Sequence, residues 1–136
     1  MTMAGFRRER IEELLGADKY ATGLGIELVR VDPEAVTIGL DVDETHTNFL
    51  GLGHGGMVFS LADCAFSLAA NAAGARAVAI DTHLVLTAPS RPGDRLVAEV
   101  SEVSRGRTLG TYRVDVSRQD GRTVGLFTGT IYISTE

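Results

Sequence analysis

The sequence is poor in cysteine, in basic residues and in long apolar runs. Cys64 is the single cysteine among 136 residues, so the chain forms neither an intrachain disulfide nor a cysteine-based zinc cluster. Thirteen Lys and Arg residues stand against eighteen Asp and Glu residues, and the formal net charge is -5 at pH 7. This balance offers no broad basic surface for a nucleic-acid backbone or an anionic membrane. We therefore expect neither partner.

No segment is typical of membrane insertion or export. A spanning helix needs a run of about 18 apolar residues, and the sequence contains no such uncharged run. Charged residues near the N-terminus interrupt the apolar core that a signal peptide requires. We expect a cytoplasmic protein.

The composition that remains is that of one globular domain. Hydrophobic residues make up 44% of the chain and charged residues 23%, which is far from the composition of disordered chains. A domain of this length buries roughly 68% of the surface that its unfolded chain exposes. We therefore predict a single domain over residues 1–136 that needs no disulfide and no structural metal.

Two segments are predicted to be helical. Residues 1–22 form the first, because apolar side chains return with helical spacing over 5–15, and Gly16 is expected to end that helix. The second covers 54–73, with no proline and, after Gly56, no glycine. It would be about 30 Å long. Since it is apolar on nearly every side, it should be buried.

Six further segments have the alternation or the flanking turn residues of strands. They cover residues 26–31, 36–42, 76–87, 95–104, 108–117 and 123–134. One antiparallel sheet, packed by one face on the long helix, satisfies this order most simply and predicts an α+β domain whose sheet curves around the helix. The connection 43–53 is irregular yet too apolar for a purely solvated loop, which makes it a candidate site.

The long helix carries a polar stripe. Its members follow spacings of three, four and four and share one face; they are Ser60, Asp63, Ser67 and Asn71. Asp63 is the only charged side chain between His54 and Gly74. The stripe is either a solvated edge of the helix or the position of a desolvated carboxylate whose raised pKa suits a general base.

The start of the same helix has a second chemical feature, the sequence His54-Gly55-Gly56. Two glycines leave the first backbone N–H groups sterically open. These N–H groups and the helix dipole suit a carbonyl oxygen on which negative charge develops.

Taken together, these motifs resemble a known family. The string NFLGLGHGGMVFSLADCAFSLAAN, from Asn48 to Asn71, is similar to the signature of the phenylacetate-degradation (PaaI-type) branch of hotdog-fold acyl-CoA thioesterases. The segment SRGRTLGTYRV, residues 104–114, also fits, and the similarity in element order covers about residues 20–134. The resemblance implies a hotdog fold, dimers commonly paired into tetramers, and hydrolysis of a CoA thioester without metal or cofactor.

The resemblance also implies roles for four residues. By position, Gly55 would offer its N–H to the thioester oxygen, and Asn48 and His54 would polarise or position that group. Asp63 would activate water or attack directly. The acyl group would be an aryl-acyl group of the phenylacetyl or hydroxyphenylacetyl kind, or a medium-length chain. Some relatives carry Asn where this chain has Ala17 or Asp18, and others carry Ser where it has Ala79, so those accessory roles are not carried over.

Further residues are candidates for binding the substrate. The turn arginines are either CoA phosphate ligands, through charge-assisted hydrogen bonds, or simply solvated, and the loop side chains are candidates for lining an acyl pocket. The full set of candidates is Phe49, Leu50, Gly56, Ser67, Arg91, Arg105, Gly106 and Arg107.

No metal site is expected. His46, His54 and His83 have spacings that fit no zinc motif. Cys64 lies inside an apolar helix and is more consistent with a small core residue than with a nucleophile.

The spacing of His54 and Asp63 has a geometric consequence. Nine residues rotate a helix by about 900° and advance it by about 13.5 Å, so the two side chains lie on opposite faces and cannot meet in one chain. If both serve one site, that site combines two protomers across a two-fold interface.

Two other functions remain open on the same fold. One is an acyl-CoA-binding protein without turnover, and the other is a dehydratase, whose usual motif is not apparent over residues 46–56. Asp63 favours the enzyme over the binding protein, because a binding protein has little reason to bury a carboxylate beside its ligand.

Overall fold

In the computed structural model, which describes residues 6–134, six strands form one antiparallel sheet. They are β1 (Glu27–Val31), β2 (Val36–Asp41), β3 (Arg76–Leu86), β4 (Arg95–Arg105), β5 (Leu109–Arg118) and β6 (Thr123–Ser134). Their spatial order is β1-β2-β4-β5-β6-β3. The α+β architecture and all six strands confirm the prediction, and every boundary lies within about two residues of the predicted one, the usual uncertainty of helix and strand ends.

Three helices accompany the sheet in the described part of the chain: α1 (Arg8–Ala17), α2 (Lys19–Leu24) and α3 (Gly55–Asn71). The central helix α3 is buried as predicted, with Leu61, Ala65 and Phe66 fully enclosed. None of the helices within 6–134 is long and apolar enough to cross a membrane.

The ring of Phe66 anchors α3 on the sheet. Its centroid lies 5.4 Å from that of Phe127 and 5.8 Å from that of Tyr112. Gly129 makes this contact possible, because a Cβ at that position would lie 2.7 Å from Phe66 Cζ. The sheet therefore curves closely around the helix where the facing strand has no side chain.

The N-terminal segment differs from the prediction. Gly16 does not end the first helix, which continues to Ala17. The chain breaks at Asp18, whose side chain accepts a hydrogen bond from Ala21 N at 2.9 Å and caps α2. Gly25, with a φ of 91°, ends α2 in the left-handed conformation. The predicted start of the segment at residues 1–5 lies outside the described residues.

Strand β3 lies at an edge of the sheet and pairs with β6, as in the register Leu84↔Phe127. Its hydrophobicity pattern does not predict this partner, because the pattern reports which side chains face the core and not which strand lies alongside. Several of its apolar side chains remain exposed, with 51% for Val78, 58% for Ile80 and 54% for Leu86. Within the described chain the outer edge of β3 is unpaired.

Strand β3 runs back along α3. At its first residues, the Asn71 side chain accepts from Ala77 N at 2.9 Å and donates to Ala77 O at 3.2 Å. At its last residue, Leu86 lies close to Gly55, where a Cβ would be 3.0 Å from Leu86 Cδ1. The helix and the edge strand are therefore antiparallel neighbours, and this arrangement positions the start of α3 at the rim of the sheet.

Candidate active site

Loop 43–53 is a folded structure. A 3-10 turn covers Glu44–His46. Asn48 Oδ1 accepts hydrogen bonds from Leu50 N at 2.9 Å and Leu52 N at 3.2 Å. This use of Oδ1 holds the amide of Asn48 in one orientation, because the oxygen is fixed by two backbone donors.

The first turn of α3 has an open donor. His54 caps the helix, and its Nδ1 accepts from Gly56 N at 2.8 Å. Because Nδ1 is an acceptor, the neutral imidazole carries its proton on Nε2. Over residues 6–134, no group accepts a hydrogen bond from the Gly55 N–H. The Gly55 N–H is therefore available to a ligand at the positive end of the helix dipole.

This donor lies beside a cavity of about 370 Å³. Its wall includes Asn48, Gly55 and, from the end of β3 and the loop that follows, Leu86, Thr87 and Ser90. The volume is within the range of sites for small organic ligands, about 300–1,000 Å³. The structure thus brings together two of the four predicted catalytic residues, Asn48 and Gly55, at one cavity, with the N-cap His54 next to them.

Asp63 lies away from this cavity. It is not among the residues that line this cavity, in agreement with the half-turn that separates it from His54. Burial raises the pKa of the half-buried Asp63 carboxyl, and the nearby carboxylate of Asp18 raises it further. The direction of this shift is the one expected for a desolvated carboxylate.

The other members of the stripe divide between structural and exposed positions. Ser60 Oγ bonds Gly56 O at 2.8 Å and Tyr20 Oη at 2.9 Å, which connects α2 to α3. Asn71 holds β3, and Ser67 is exposed. Ser67 is therefore a solvated position, whereas Asp63 is partly withdrawn from solvent.

The predicted substrate-binding residues lie in several places. Arg105 is half-buried, and its Nη1 donates to Tyr112 Oη at 2.6 Å and to Ala70 O at 3.1 Å. Gly106 and Arg107 belong to the same β4–β5 turn. Because α3 rises about 1.5 Å per residue, Ala70 lies about 22 Å from Gly55 along its axis. Within one chain, this turn is therefore remote from the cavity.

Arg91 is nearer to the cavity, since it follows Ser90 in the loop after β3. It is exposed, and its backbone N donates to Asp94 Oδ2 at 2.8 Å. Phe49 and Leu50 do not line the cavity of the single chain, because they project from the loop with exposed fractions of 96% and 67%. Their predicted contact with an acyl group requires another surface to cover them.

Two negative predictions concern reactive groups. Burial raises the pKa of the Cys64 thiol to about 12, so the thiolate form is negligible at neutral pH and Cys64 is a core residue as predicted. In the part of the chain that the structure describes, no three His, Cys, Asp or Glu side chains are grouped to hold a metal ion.

Gly53 ties the loop to the cavity wall, and its replacement gives the first prediction. Its N–H donates to Ser90 O at 2.7 Å, and a Cβ at Gly53 would collide with the buried Ser90 Oγ. We expect Gly53→Ala to lower the unfolding free energy by about 1–3 kcal/mol, measured by urea or thermal unfolding. Gly23→Ala is the matched control, because nothing lies within 4 Å of its added Cβ. Equal midpoints for the two variants would contradict this contact.

Two residues near the site were missed by the sequence analysis. Asp18 raises the pKa of Asp63. The sequence signal for Asp18 is local: it is a typical N-cap residue ahead of a short helix that Gly25 ends. His46 is buried inside the loop, and the irregular sequence of the loop offers no sign of that burial. Leu24, which His46 contacts, and Asp63, which Asp18 affects, lie far from them in sequence.

Comparison with known proteins is consistent with this geometry. The family model described as Thioesterase superfamily matches residues 50–125. A candidate esterase of Deinococcus radiodurans is 41% identical over 116 residues, which cover 85% of this chain and 79% of that protein. The acyl-coenzyme A thioesterase PaaI of Escherichia coli is 34% identical over 112 residues, with 82% and 80% covered.

Solved structures agree in fold. The structure of the Escherichia coli PaaI protein superposes with a TM-score of 0.89 at 30% identity, covering 93% of this chain and 91% of that chain. A hypothetical thioesterase of Streptococcus pneumoniae, solved with coenzyme A, has a TM-score of 0.76 at 26% identity, with 80% and 85% covered. The chain therefore belongs to the thioesterase superfamily, as a thioester hydrolase with the hotdog fold of the PaaI-type enzymes.

Proposed function

We propose that this protein hydrolyses acyl-CoA thioesters to a free acid and CoA. The observation that carries the proposal is the open Gly55 N–H at the start of α3, which lies at a cavity together with Asn48. Such a donor is suited to the oxygen of a thioester carbonyl, where negative charge develops in the transition state. The names of the relatives and the coenzyme A in the Streptococcus pneumoniae structure support the substrate class.

In the proposed reaction, water attacks the carbonyl carbon and Asp63 accepts its proton. A C–O bond forms, the C–S bond breaks, and the proton passes to the departing thiolate sulfur. The alternative is direct attack by Asp63, which would form an anhydride that water then hydrolyses. His54 would position the carbonyl through its Nε2–H. Both routes use only side chains, backbone and water, so no metal or cofactor is required.

The proposed site is shared between two copies of the chain. The unpaired edge of β3 exposes apolar side chains together with backbone donors and acceptors, which makes it suited to pairing with another strand. Antiparallel pairing of two β3 edges across a two-fold axis would place two α3 helices side by side in opposite directions. Because α3 runs antiparallel to β3, this pairing would bring the Gly55 end of one helix towards the partner helix. It would face the half of that helix that follows Asp63 in sequence.

The acyl group remains a finer proposal. An aryl-acyl or medium-length acyl group would lie near Phe49 and Leu50, which a second copy would cover. Arg105 bonds Ala70 O, which lies about 22 Å from Gly55 along α3, so its turn with Gly106 and Arg107 would serve CoA phosphates only from the partner. Pairing of dimers into tetramers and the cytoplasmic location stay predictions.

Thiol release from a panel of CoA thioesters tests the activity. The panel contains acetyl-, hexanoyl-, palmitoyl-, benzoyl- and phenylacetyl-CoA, and the released CoA is measured with a thiol reagent. We expect turnover with the aryl or hexanoyl substrates to exceed that with acetyl-CoA. Binding of these thioesters without turnover by a folded protein would favour the acyl-CoA-binding alternative.

The pH profile gives a second prediction about the same reaction. Burial and Asp18 raise the pKa of Asp63, and a base must be ionised to accept a proton. The kcat/KM value should therefore fall on the acid side at a pH above about 3.9, where an ordinary Asp titrates. Initial rates of thiol release, measured in buffers of different pH, give the profile. A profile that is flat down to about pH 4, the range of an unperturbed Asp, would contradict a raised pKa in the catalytic base.

A further inference from the structure

We propose that His46 is a positioning residue for the start of α3, which it holds so that the Gly55 N–H faces the cavity. The inference rests on the proposed function, because the proposed function assigns the Gly55 N–H to the thioester oxygen. His46 itself does not line the cavity. Its role is to fix the loop that carries Asn48 and the helix end that carries Gly55.

The imidazole of His46 connects two separate parts of the fold. Its ring is buried, with 6% of the residue exposed. Nδ1 accepts from Asp43 N at 3.0 Å, so Nε2 carries the proton and donates to Leu24 O at 2.9 Å. Leu24 is the last residue of α2, and its carbonyl has no intrahelical partner to lose. The ring therefore ties loop 43–53 to the end of α2.

The backbone of His46 transmits this attachment to α3. His46 O accepts from His54 N at 2.7 Å, and His54 O in turn accepts from Met57 N at 3.0 Å and Val58 N at 3.2 Å. Gly55 lies between these bonds. A shift of His46 would thus move the peptide that presents the Gly55 N–H.

A purely structural role would be served more simply by an apolar residue. Burying two ring nitrogens requires that both find partners, since an unpaired polar group costs about 1–3 kcal/mol. The ring satisfies both nitrogens by joining the loop to the end of α2, which restricts the loop to one conformation. Orientation of this kind matters in catalysis, because displacement of a catalytic group by about 1 Å can cost on the order of 10²-fold in rate.

Three variants separate the two bonds. His46→Leu removes both, His46→Gln keeps a donor that reaches towards Leu24 O, and His46→Asn keeps an acceptor for Asp43 N. Val100→Ala is the control for general destabilisation, because Val100 is fully buried in β4 and does not line the cavity. All are assayed well below their unfolding midpoints, with kcat and KM measured separately for thioester hydrolysis.

We expect His46→Leu to lower kcat by about tenfold or more, within the range for a displaced catalytic group, with little change in KM, because the N–H acts mainly in the transition state. His46→Gln should recover most of the loss, and Val100→Ala should lower stability without lowering kcat. A folded His46→Leu protein with native kcat, or a change in KM alone, would overturn the proposal. If His46→Leu does not fold, His46→Asn takes its place in the test. This variant lacks the bond to Leu24 O, so it should lose kcat, and a native kcat would overturn the proposal.

A measurement without substrate keeps this inference separate from the proposed function. In ¹H–¹⁵N spectra of the whole protein, His46→Leu should shift the Gly55 and Gly56 amide resonances, and Val100→Ala should not. Shifted amides in a protein that hydrolyses none of the thioesters would retain the positioning role and reject the function. Unchanged amides in an active enzyme would reject the positioning role.

Discussion

Replacing Asp63 by Asn should reduce kcat by about 10²–10⁴-fold, the usual contribution of a general base. Asn has nearly the same shape as Asp but accepts no proton at neutral pH. Because the carboxylate acts on water and not on CoA, KM should change little. Initial rates of thiol release, with the substrate that the panel identifies as best, give both constants.

The stability of the same variant is the control. The raised pKa means that folded protein holds the Asp63 proton more tightly than the unfolded chain does, so ionisation costs stability as pH rises from the ordinary value through the raised one. At pH 7 the Asn variant avoids this cost and the repulsion from Asp18. It should therefore unfold at a temperature at least as high as the wild type. Near-native turnover by a variant with intact fold would contradict a catalytic role for Asp63.

Mixing two inactive variants should restore activity if each site is shared. Asn48→Ala and Asp63→Ala should each be nearly inactive alone. In a mixed dimer, the site that takes Asn48 from one chain and Asp63 from the other is intact, and the second site carries both lesions. Random pairing makes half of the dimers mixed, so co-refolding an equal mixture should recover about a quarter of the wild-type activity when sites are independent.

Wild-type protein carried through the same refolding sets the reference rate, and two different affinity tags measure the fraction of mixed dimers. Each variant refolded alone gives the baseline. Activity no higher than the average of the two variants, with mixed dimers present, would contradict a shared site that uses Asn48. Recovery in proportion to the mixed fraction would instead support a site shared between two copies.

The central helix and its chemistry were accessible from the sequence. Every signal for α3 is local: a run without proline, the His54-Gly55-Gly56 start, and a polar residue on every turn of one face. The same local geometry separates His54 from Asp63, because helical rotation depends only on their spacing. The six strands were also recognisable, since alternation and turn residues act over only a few positions.

The raised pKa of Asp63 could also be predicted from the sequence. A carboxyl on a helix that is apolar on nearly every side must lose part of its hydration when that helix packs. The contribution of Asp18 was not anticipated, because the two residues are far apart in sequence and meet only through the packing of α2 against α3.

The six strands, the buried helix and its reactive groups follow from local sequence, since each depends on neighbours a few residues away, whereas the break at Asp18 did not. Three features depend on the packing of the whole chain: β3 lies at the far edge beside β6, Gly55 and Asn48 meet Thr87 and Ser90 at one cavity, and His46 joins loop 43–53 to α2. These contacts join distant segments, and hydrophobic periodicity carries information about which face is buried but none about which partner will cover it.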